Sequence, residues 1–207
     1  TYALYCALGQ QRSADPALKG ADFMANPDEN EGYLTEKAAK ELYGDQFDLY
    51  WGKICQAADQ VLDYALVYDG EPIFSAYHAA SAGVTESADM VWQTSLPYLT
   101  PVASPGDYTA PGFVTESAFS TDEVRRRLLA AFPGAELGED PEGWIVPLEY
   151  SPTGYILAAS VGGVKAHGQQ VRSALDLRSS HFTFEQQGDQ LVFSTSGYGH
   201  GVGLSQY

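Results

Sequence analysis

Two segments of the sequence concentrate side chains that can take part in chemistry. The first, at residues 77–87, reads YHAASAGVTES and contains four such side chains: His78, Ser81, Thr85 and Glu86. Loops held at the end of a strand commonly carry functional side chains. A serine hydrolase with Ser81 as nucleophile and His78 as base is one interpretation, but Ala79 stands where the G-x-S-x-G turn of such enzymes has its first glycine. The alternative is a polar loop in which His78 caps backbone carbonyl groups.

The second segment, at residues 196–207, reads SGYGHGVGLSQY and has a glycine at every second position from 197 to 203. A phosphate-binding loop needs a third glycine where Val202 stands. The period of two predicts an extended strand instead, whose bare glycine face lets a second backbone or a sugar ring approach closely. The other face would present Tyr198, His200, Val202 and Leu204. A core strand with a buried His200 is an equally good interpretation of this pattern.

The elements that must position these segments follow from periodicity and turn signals. Helices are predicted over residues 1–11, 35–44, 48–60, 120–134 and 170–177. Thr35 is the predicted N-cap of the second helix, and Ser120 with Glu123 is the predicted capping box of the fourth. Strands and hairpins are predicted over residues 64–78 around Asp69-Gly70, 144–150, 154–162 and 181–195 around Gly188-Asp189, with loops over 12–32 and 97–107. This order predicts an α+β fold with a mixed or antiparallel β-sheet core, a few peripheral helices and long loops. We expect a single domain over residues 1–207, truncated at both ends because Thr1 reads as the middle of a helix.

Composition excludes several function classes. The formal net charge of −16 disfavours nucleic acid and anionic membrane surfaces as partners, because phosphate contacts need Lys and Arg. Cys6 and Cys55 form no CxxC motif and fit no zinc spacing. A single disulfide between them is one alternative, but the apolar helical run around Cys6 favours a buried free thiol there. The 14 tyrosines suit either a β-rich core or carbohydrate binding. His167 and His181 have no ligand-like neighbours and are interpreted as surface or capping residues.

Several stretches together resemble the stage II sporulation protein D family. YHAASAGVTESADMVWQTSLPYLTPVASPGD is similar to its middle signature, and LRSSHFTF followed by GYGHGVGLSQY is similar to its closing signature. GGVKAHGQQVRSALDLRSS resembles the segment between them, and TYALYC resembles the end of the first helix. The likeness covers nearly the whole chain, with residues 12–60 matching more loosely.

The resemblance implies a lytic transglycosylase that cleaves the β-1,4 bond between N-acetylmuramic acid and N-acetylglucosamine in peptidoglycan. Strands without stem peptides are the implied substrate, and the product carries a 1,6-anhydro end. One carboxyl group suffices, because it protonates the leaving oxygen and then takes the proton of the muramic 6-hydroxyl. The family implies no cofactor. It implies a place outside the cytoplasm, in the cell wall or anchored to the membrane through a segment outside this chain.

The resemblance also implies roles for individual residues. His200 and Gln206 match polar positions of the closing signature and are expected to support catalysis. Substrate-binding residues are expected at five further matching positions: Tyr198, Ser205, His78, Ser81 and Thr85. The catalytic Glu of the family lies in an Ala-Glu-Met-Pro segment that would precede Thr1, and Glu86 does not match it. Glycan binding without turnover is therefore expected for residues 1–207.

A metal site and a second function are the remaining implications. Some relatives bind zinc through a His and cysteines near the middle signature, but Ser81 and Ala82 offer no thiolate, so no metal is expected. Other relatives are amidase enhancers, which implies a glycan-binding module that stimulates a partner enzyme. The expected partners are peptidoglycan glycan strands and a cell-wall amidase, and no nucleic acid.

Overall fold

The computed structural model describes residues 1–23 and 34–207. These residues divide into two compact units, Thr1–Ser75 and Ala76–Tyr207. The end of the predicted surface loop, with Asp28, Glu29 and Glu31, lies outside the described residues. No helix in the described ranges combines the length and the apolar character needed to cross a membrane.

The described residues of the first unit form three α-helices and a short hairpin, as predicted. Their bounds are α1 Tyr2–Arg12, α2 Glu36–Tyr43, α3 Phe47–Val61, β1 Val67–Tyr68 and β2 Glu71–Pro72. Thr35 begins α2 because its hydroxyl accepts a hydrogen bond of 3.1 Å from the backbone N–H of Ala38. Asp69 and Gly70 both have positive φ, 51° and 79°, which is the turn that the Asp-Gly pair favours.

The second unit contains the remaining elements and both chemically rich segments. In chain order these are β3 Tyr77–His78, α4 Ala88–Trp92, β4 Val114–Ser120, α5 Thr121–Ala131, β5 Ile145–Tyr150, β6 Ile156–Val161, β7 Val164–His167, α6 Gly168–Leu175, β8 Phe182–Gln187, β9 Gln190–Ser196 and β10 Leu204–Ser205. Strand β4 was not predicted from the sequence. The helix α5 begins as expected, with the Ser120 hydroxyl accepting from the N–H of Glu123 at 3.2 Å. The capping box is only half formed, because the Glu123 carboxylate pairs with Arg126 and Arg127 instead.

Two antiparallel sheets and one short parallel pair build this unit. The first sheet has the order β4-β9-β8, the second has the order β5-β6-β7, and β10 pairs with β3 in parallel. Helices α5 and α6 bury Leu128 and Leu175 against Phe193 of β9 and Ile156 of β6 in one apolar core. The predicted α+β class with a mixed or antiparallel sheet core is confirmed.

The closing segment is not the extended strand that its glycine period predicts. Strand β9 ends at Ser196, and the glycines at 197, 199, 201 and 203 all have positive φ, between 76° and 114°. Residues with a Cβ rarely adopt this backbone region, so glycine is required at each position. Residues 197–203 therefore form a loop, here named the closing loop. The predicted close approach is confirmed, since a Cβ on Gly197 would lie 2.8 Å from the carbonyl oxygen of Ala80.

Candidate functional site

The closing loop and the middle segment, residues 76–87, form one hydrogen-bonded layer. Tyr198 and Ala80 exchange two backbone hydrogen bonds of 2.7 and 3.0 Å. The N–H of Glu86 donates to Gly201 at 2.7 Å, and the N–H of Gln206 donates to the carbonyl of His78 at 3.1 Å. Two segments more than a hundred positions apart thus become neighbours, which is what a common functional site requires.

His78 lies inside this layer with only 3% of its surface exposed. Its Nδ1 donates to the carbonyl oxygen of Val202 at 3.1 Å, as the polar-loop alternative predicts. Burial lowers the pKa of His78, and the Val202 carbonyl and the charge of Asp107 oppose this shift only in part. The imidazole is therefore neutral at neutral pH, and its buried Nε2 has no hydrogen-bond partner among the described residues.

Ser81 is bound to a carboxylate that the sequence did not single out, Asp107. The Asp107 side chain is fully buried. Its Oδ2 accepts from the N–H of Ser81 at 2.8 Å and from the Ser81 hydroxyl, while its Oδ1 accepts from Ser205 at 2.5 Å. Burial alone would raise the pKa of Asp107, but the hydrogen bonds from Ser205, Ser81 and Ser104 outweigh it and lower the pKa. Because Ser81 donates to Asp107 and not to His78, the geometry gives no support to a serine hydrolase.

Thr85 and Glu86 hold the far end of the middle segment. The Thr85 hydroxyl accepts from the N–H of Val102 at 2.9 Å, and 5% of the residue is exposed. Glu86 is 1% exposed and accepts from the Ser151 hydroxyl at 2.9 Å. Burial raises the pKa of Glu86, and the Ser151 bond opposes this shift. A raised pKa is useful in a general acid, but this carboxyl group is sealed from solvent.

His200 of the closing loop packs against two aromatic rings from other segments, Trp92 and His78. Its ring centroid lies 4.9 Å from that of Trp92 and 5.8 Å from that of His78. Its Nδ1 accepts from the N–H of Val202 at 3.1 Å, so the proton of the neutral ring is on Nε2. Burial first, and then the charges of His78 and Arg172, lower the pKa of His200 to about 4. A backbone hydrogen bond to Tyr77 opposes this shift only in part. His200 is therefore neutral at neutral pH, and both of its ring nitrogens have backbone partners.

The predicted site residues differ in their access to solvent. Tyr198 is 47% exposed, Gln206 is also exposed, and Ser205 and His200 are partly exposed. The other three are buried and hold neighbouring backbone in place: His78, Ser81 and Thr85. Only the exposed and partly exposed residues among these seven can contact a substrate directly in this structure. The substrate-binding roles stay predictions.

Sequence reasoning missed three further residues that support the layer: Asp107, Tyr155 and Arg172. The Tyr155 hydroxyl accepts from the N–H of Ala82 at 2.8 Å, and burial raises the pKa of Tyr155 to about 12. Arg172 of α6 donates from Nε to the carbonyl of Leu177 at 3.2 Å. No local motif marks Asp107 or Tyr155, because each acts through a partner far away in the sequence. Arg172 bonds only nearby residues, Gln169 and Leu177, and acts on the closing loop electrostatically.

A shallow cavity of about 410 Å³ lies beside this layer. It runs between α4 and the second sheet, and polar side chains from both line it, among them Asp89, Gln93, Glu149, Lys165 and His167. His167 also caps α6, since its Nδ1 accepts from the N–H of Gln169 at 3.3 Å, which agrees with its interpretation as a capping residue. The cavity offers open, polar space next to the helix that carries Trp92.

No group of three or more His, Cys, Asp or Glu side chains in the described ranges has the geometry to hold a metal ion. Cys6 and Cys55 are free thiols. The prediction that Cys6 is buried is wrong, because the residue is only partly covered and α1 has no buried residue. Helix α1 therefore does not present Cys6 to a core.

Comparison with known proteins finds no matching family model. Stage II sporulation protein D of Bacillus amyloliquefaciens is 32% identical over 176 residues, covering 84% of this chain and 49% of that protein. The Bacillus subtilis (strain 168) protein of the same name is 29% identical over 175 residues with the same coverage. The amidase enhancer of Bacillus subtilis (strain 168) is 22% identical over 200 residues, covering 73% of this chain and 28% of that protein. The chain thus spans about half the length of the first two relatives, and over the matched region it belongs to the stage II sporulation protein D family.

Proposed function

We propose that this chain binds peptide-free peptidoglycan strands as the glycan-binding part of a lytic transglycosylase. The observation that carries the proposal is the joint layer of the two signature segments, which holds Tyr198 and Gln206 at the surface and leaves His200 partly exposed. The family relation makes a role at the cell wall the natural setting. A place outside the cytoplasm is part of the same proposal.

The exposed groups have the chemistry that sugar binding needs. The Tyr198 ring is an amphipathic surface on which the C–H face of a pyranose can pack, with its hydroxyl free for hydrogen bonding. Gln206 offers both amide donors and a carbonyl acceptor, which suit sugar hydroxyls and acetamido groups. His200 supports this surface from within the loop, since the backbone of Tyr77 and the N–H of Val202 both hold its ring. Its protonation is constant above pH 5, because the pKa is about 4.

Cleavage needs a carboxyl group that contacts the glycosidic oxygen. Glu86 has a raised pKa but is buried within the layer, with 1% of the residue exposed, and it matches no catalytic motif of the family. We therefore propose binding without turnover for residues 1–207. In the transglycosylase reaction itself, these residues would orient the sugar while another carboxyl group acts as acid and then as base.

The test is to incubate the chain with peptide-free peptidoglycan and to measure both co-sedimentation and release of 1,6-anhydro-muramic products by mass spectrometry. Co-sedimentation without anhydro products is expected. Tyr198→Ala should weaken binding about tenfold, since it removes the exposed aromatic face, while Tyr64→Ala is the control because Tyr64 is 77% exposed in the other unit. Absence of binding would refute the proposal, and release of anhydro products would show that an acid group lies within residues 1–207.

Stimulation of a cell-wall amidase is the second candidate function, and the match to an amidase enhancer favours it. In this case the chain would bind glycan and raise the rate of a partner that removes stem peptides. One assay distinguishes amidase stimulation from the transglycosylase role. The chain is added to a cell-wall amidase that acts on intact peptidoglycan. A rise in stem-peptide release with no anhydro products would support the enhancer, and an unchanged rate would remove it.

A further inference from the structure

Two arginines act on Tyr198, the most exposed residue of the closing loop, one by direct contact and one electrostatically. The guanidinium carbon of Arg178 lies 4.4 Å from the centroid of the Tyr198 ring. Arg172 lies close enough to act electrostatically on both Tyr198 and His200. Both arginines are half-buried residues. A positive patch thus borders the exposed ring in a chain whose net charge is −16.

Neither arginine has an acidic partner within salt-bridge distance in the described part of the chain. Asp176 acts on Arg172 only at longer range. The Nε of Arg178 is buried and has no hydrogen-bond partner among the described residues. Arg126 and Arg127 on α5, by contrast, both pair with Glu123 at 2.7 Å. Partly buried cations normally have an acidic partner. Two arginines without one, beside a candidate site, therefore indicate an anionic ligand.

The surrounding structure holds both guanidinium groups in place. Arg172 donates from Nη1 to the Gln169 side chain at 3.0 Å and from Nε to Leu177 at 3.2 Å, and these bonds leave Nη2 available. Arg178 Nη1 occupies the space over Gly112, where a Cβ would lie 2.6 Å away. The stacking on Tyr198 fixes the plane of the Arg178 group. Donors ordered before binding cost little entropy when a ligand arrives.

We propose that Arg172 and Arg178 form a subsite for the free carboxylate of an N-acetylmuramic acid residue whose lactyl group carries no peptide. This inference rests on the proposed function. The planar fork of a guanidinium matches a carboxylate in bidentate geometry. N-acetylglucosamine lacks this carboxylate, and a stem peptide converts it into an amide. The pair therefore selects muramic acid over glucosamine at one position and peptide-free strands over substituted ones.

The first experiment titrates the chain with three sugars and follows the arginine Nε–H signals by NMR. The sugars are N-acetylmuramic acid, its lactyl methyl ester and N-acetylglucosamine. The Arg178 signal should move with the acid alone and should weaken as salt is added, because the contact is between charges. Equal shifts with the acid and the ester, or no shift with the acid, would overturn the subsite.

The second experiment measures binding of peptide-free glycan strands and of uncharged N-acetylglucosamine oligomers of equal length to variants. R178Q should weaken binding to the muramic strands about tenfold to a hundredfold, the worth of a charge-assisted hydrogen bond, and leave the neutral oligomers within twofold. R178K should retain an intermediate affinity, since it keeps the charge but not the fork. R126Q is the matched control, because it removes one exposed charge on α5, and thermal unfolding checks that each variant is folded.

The two proposals fail in different ways. The wild-type chain could fail to bind every glycan strand while its Arg178 NMR signal still shifts with N-acetylmuramic acid. This result would refute the proposed function and keep the anion subsite. Wild-type chain that binds muramic and neutral strands equally, with R178Q unchanged on both, would refute the subsite and keep the glycan-binding function.

Discussion

The hydroxyl of Ser205 donates a 2.5 Å hydrogen bond to Asp107, a residue 98 positions earlier in the chain. The other oxygen of the same carboxylate accepts from the N–H and hydroxyl of Ser81. One buried carboxylate therefore ties the middle segment to the strand that follows the closing loop. The layer that holds Tyr198 and Gln206 depends on this contact.

Replacing Asp107 with Asn should lower the free energy of unfolding at pH 7 by about 2–3 kcal/mol, because a neutral amide cannot accept all the donors that the carboxylate satisfies. The folded pKa of Asp107 lies below its ordinary value of 3.8. The stabilisation by ionised Asp107 is therefore fully present above pH 3.8 and is lost as the pH falls through the folded pKa. Urea unfolding of both proteins between pH 3 and pH 7 measures this.

The difference between wild type and Asp107→Asn should shrink below pH 3.8. A difference that stays constant with pH would show that the effect is steric and not electrostatic. Glu139→Gln is the control for removal of one carboxylate, because Glu139 is exposed. It should change stability by less than about 0.5 kcal/mol.

His200 should make the fold less stable in mild acid. Its folded pKa of about 4 lies below the ordinary value of 6.5, so the unfolded chain binds more protons between these values. Stability should therefore rise as the pH increases from 4 to 6.5 and then level off. The His200 share is on the order of 1–3 kcal/mol, allowing for partial exposure.

An NMR titration of the His200 ring gives the folded pKa directly, and His200→Gln should reduce the slope of stability between pH 4 and pH 6.5. The slope should not vanish, because burial also lowers the pKa of His78 and His181. An imidazole that titrates near 6.5 in the folded chain would refute this account.

Gly203→Ala should destabilise the fold by about 3 kcal/mol or more. The added methyl group disfavours the positive φ of this residue and also clashes with neighbouring backbone. Gly203 has φ of 82°, and a Cβ there would lie 2.8 Å from the carbonyl carbon of Ala76. Gly188→Ala is the matched control, since φ is 65° but no atom lies within 4 Å of its Cβ position. It should cost only the backbone term of about 1–2 kcal/mol. Equal losses of stability in urea would show that residues 76–81 do not pack tightly on the closing loop.

Glu86→Gln should leave stability at pH 7 unchanged within about 1 kcal/mol, or raise it. The folded pKa of Glu86 lies above its ordinary value of 4.5. Stability linked to this group is present below pH 4.5 and is lost as the pH rises through the folded value. Gln keeps an acceptor for Ser151 and carries no charge. A large loss of stability in thermal unfolding at pH 7 would reveal a charged partner for the carboxylate.

Local elements of this protein were predictable because their signals lie within a few residues. The Thr35 and Ser120 caps and the Asp69-Gly70 turn each act over at most three positions, and all are present. Strand β4 escaped prediction because its alternation is carried by small polar residues, and its pairing partner is β9.

The closing loop shows a limit of prediction from short sequence patterns. Alternating glycines indicate close approach of another backbone, and this approach exists. Their pattern does not determine the sign of φ, since glycine adopts both with similar ease. Residues 76–81 pack on the loop at the glycines 197, 199 and 203, and the Tyr155 side chain packs at Gly201. These contacts select the positive φ values.

The amino-acid sequence by itself determined the two signature segments, the helices with their caps, and the family that they resemble. Only the tertiary structure decided which side chains share the site and in which state of charge. Burial keeps His200 neutral, the hydroxyls of two distant segments keep Asp107 ionised, and the fold brings Arg172 and Arg178 to Tyr198. Each of these depends on contacts between residues far apart in the chain, and no short sequence pattern encodes a contact of that kind.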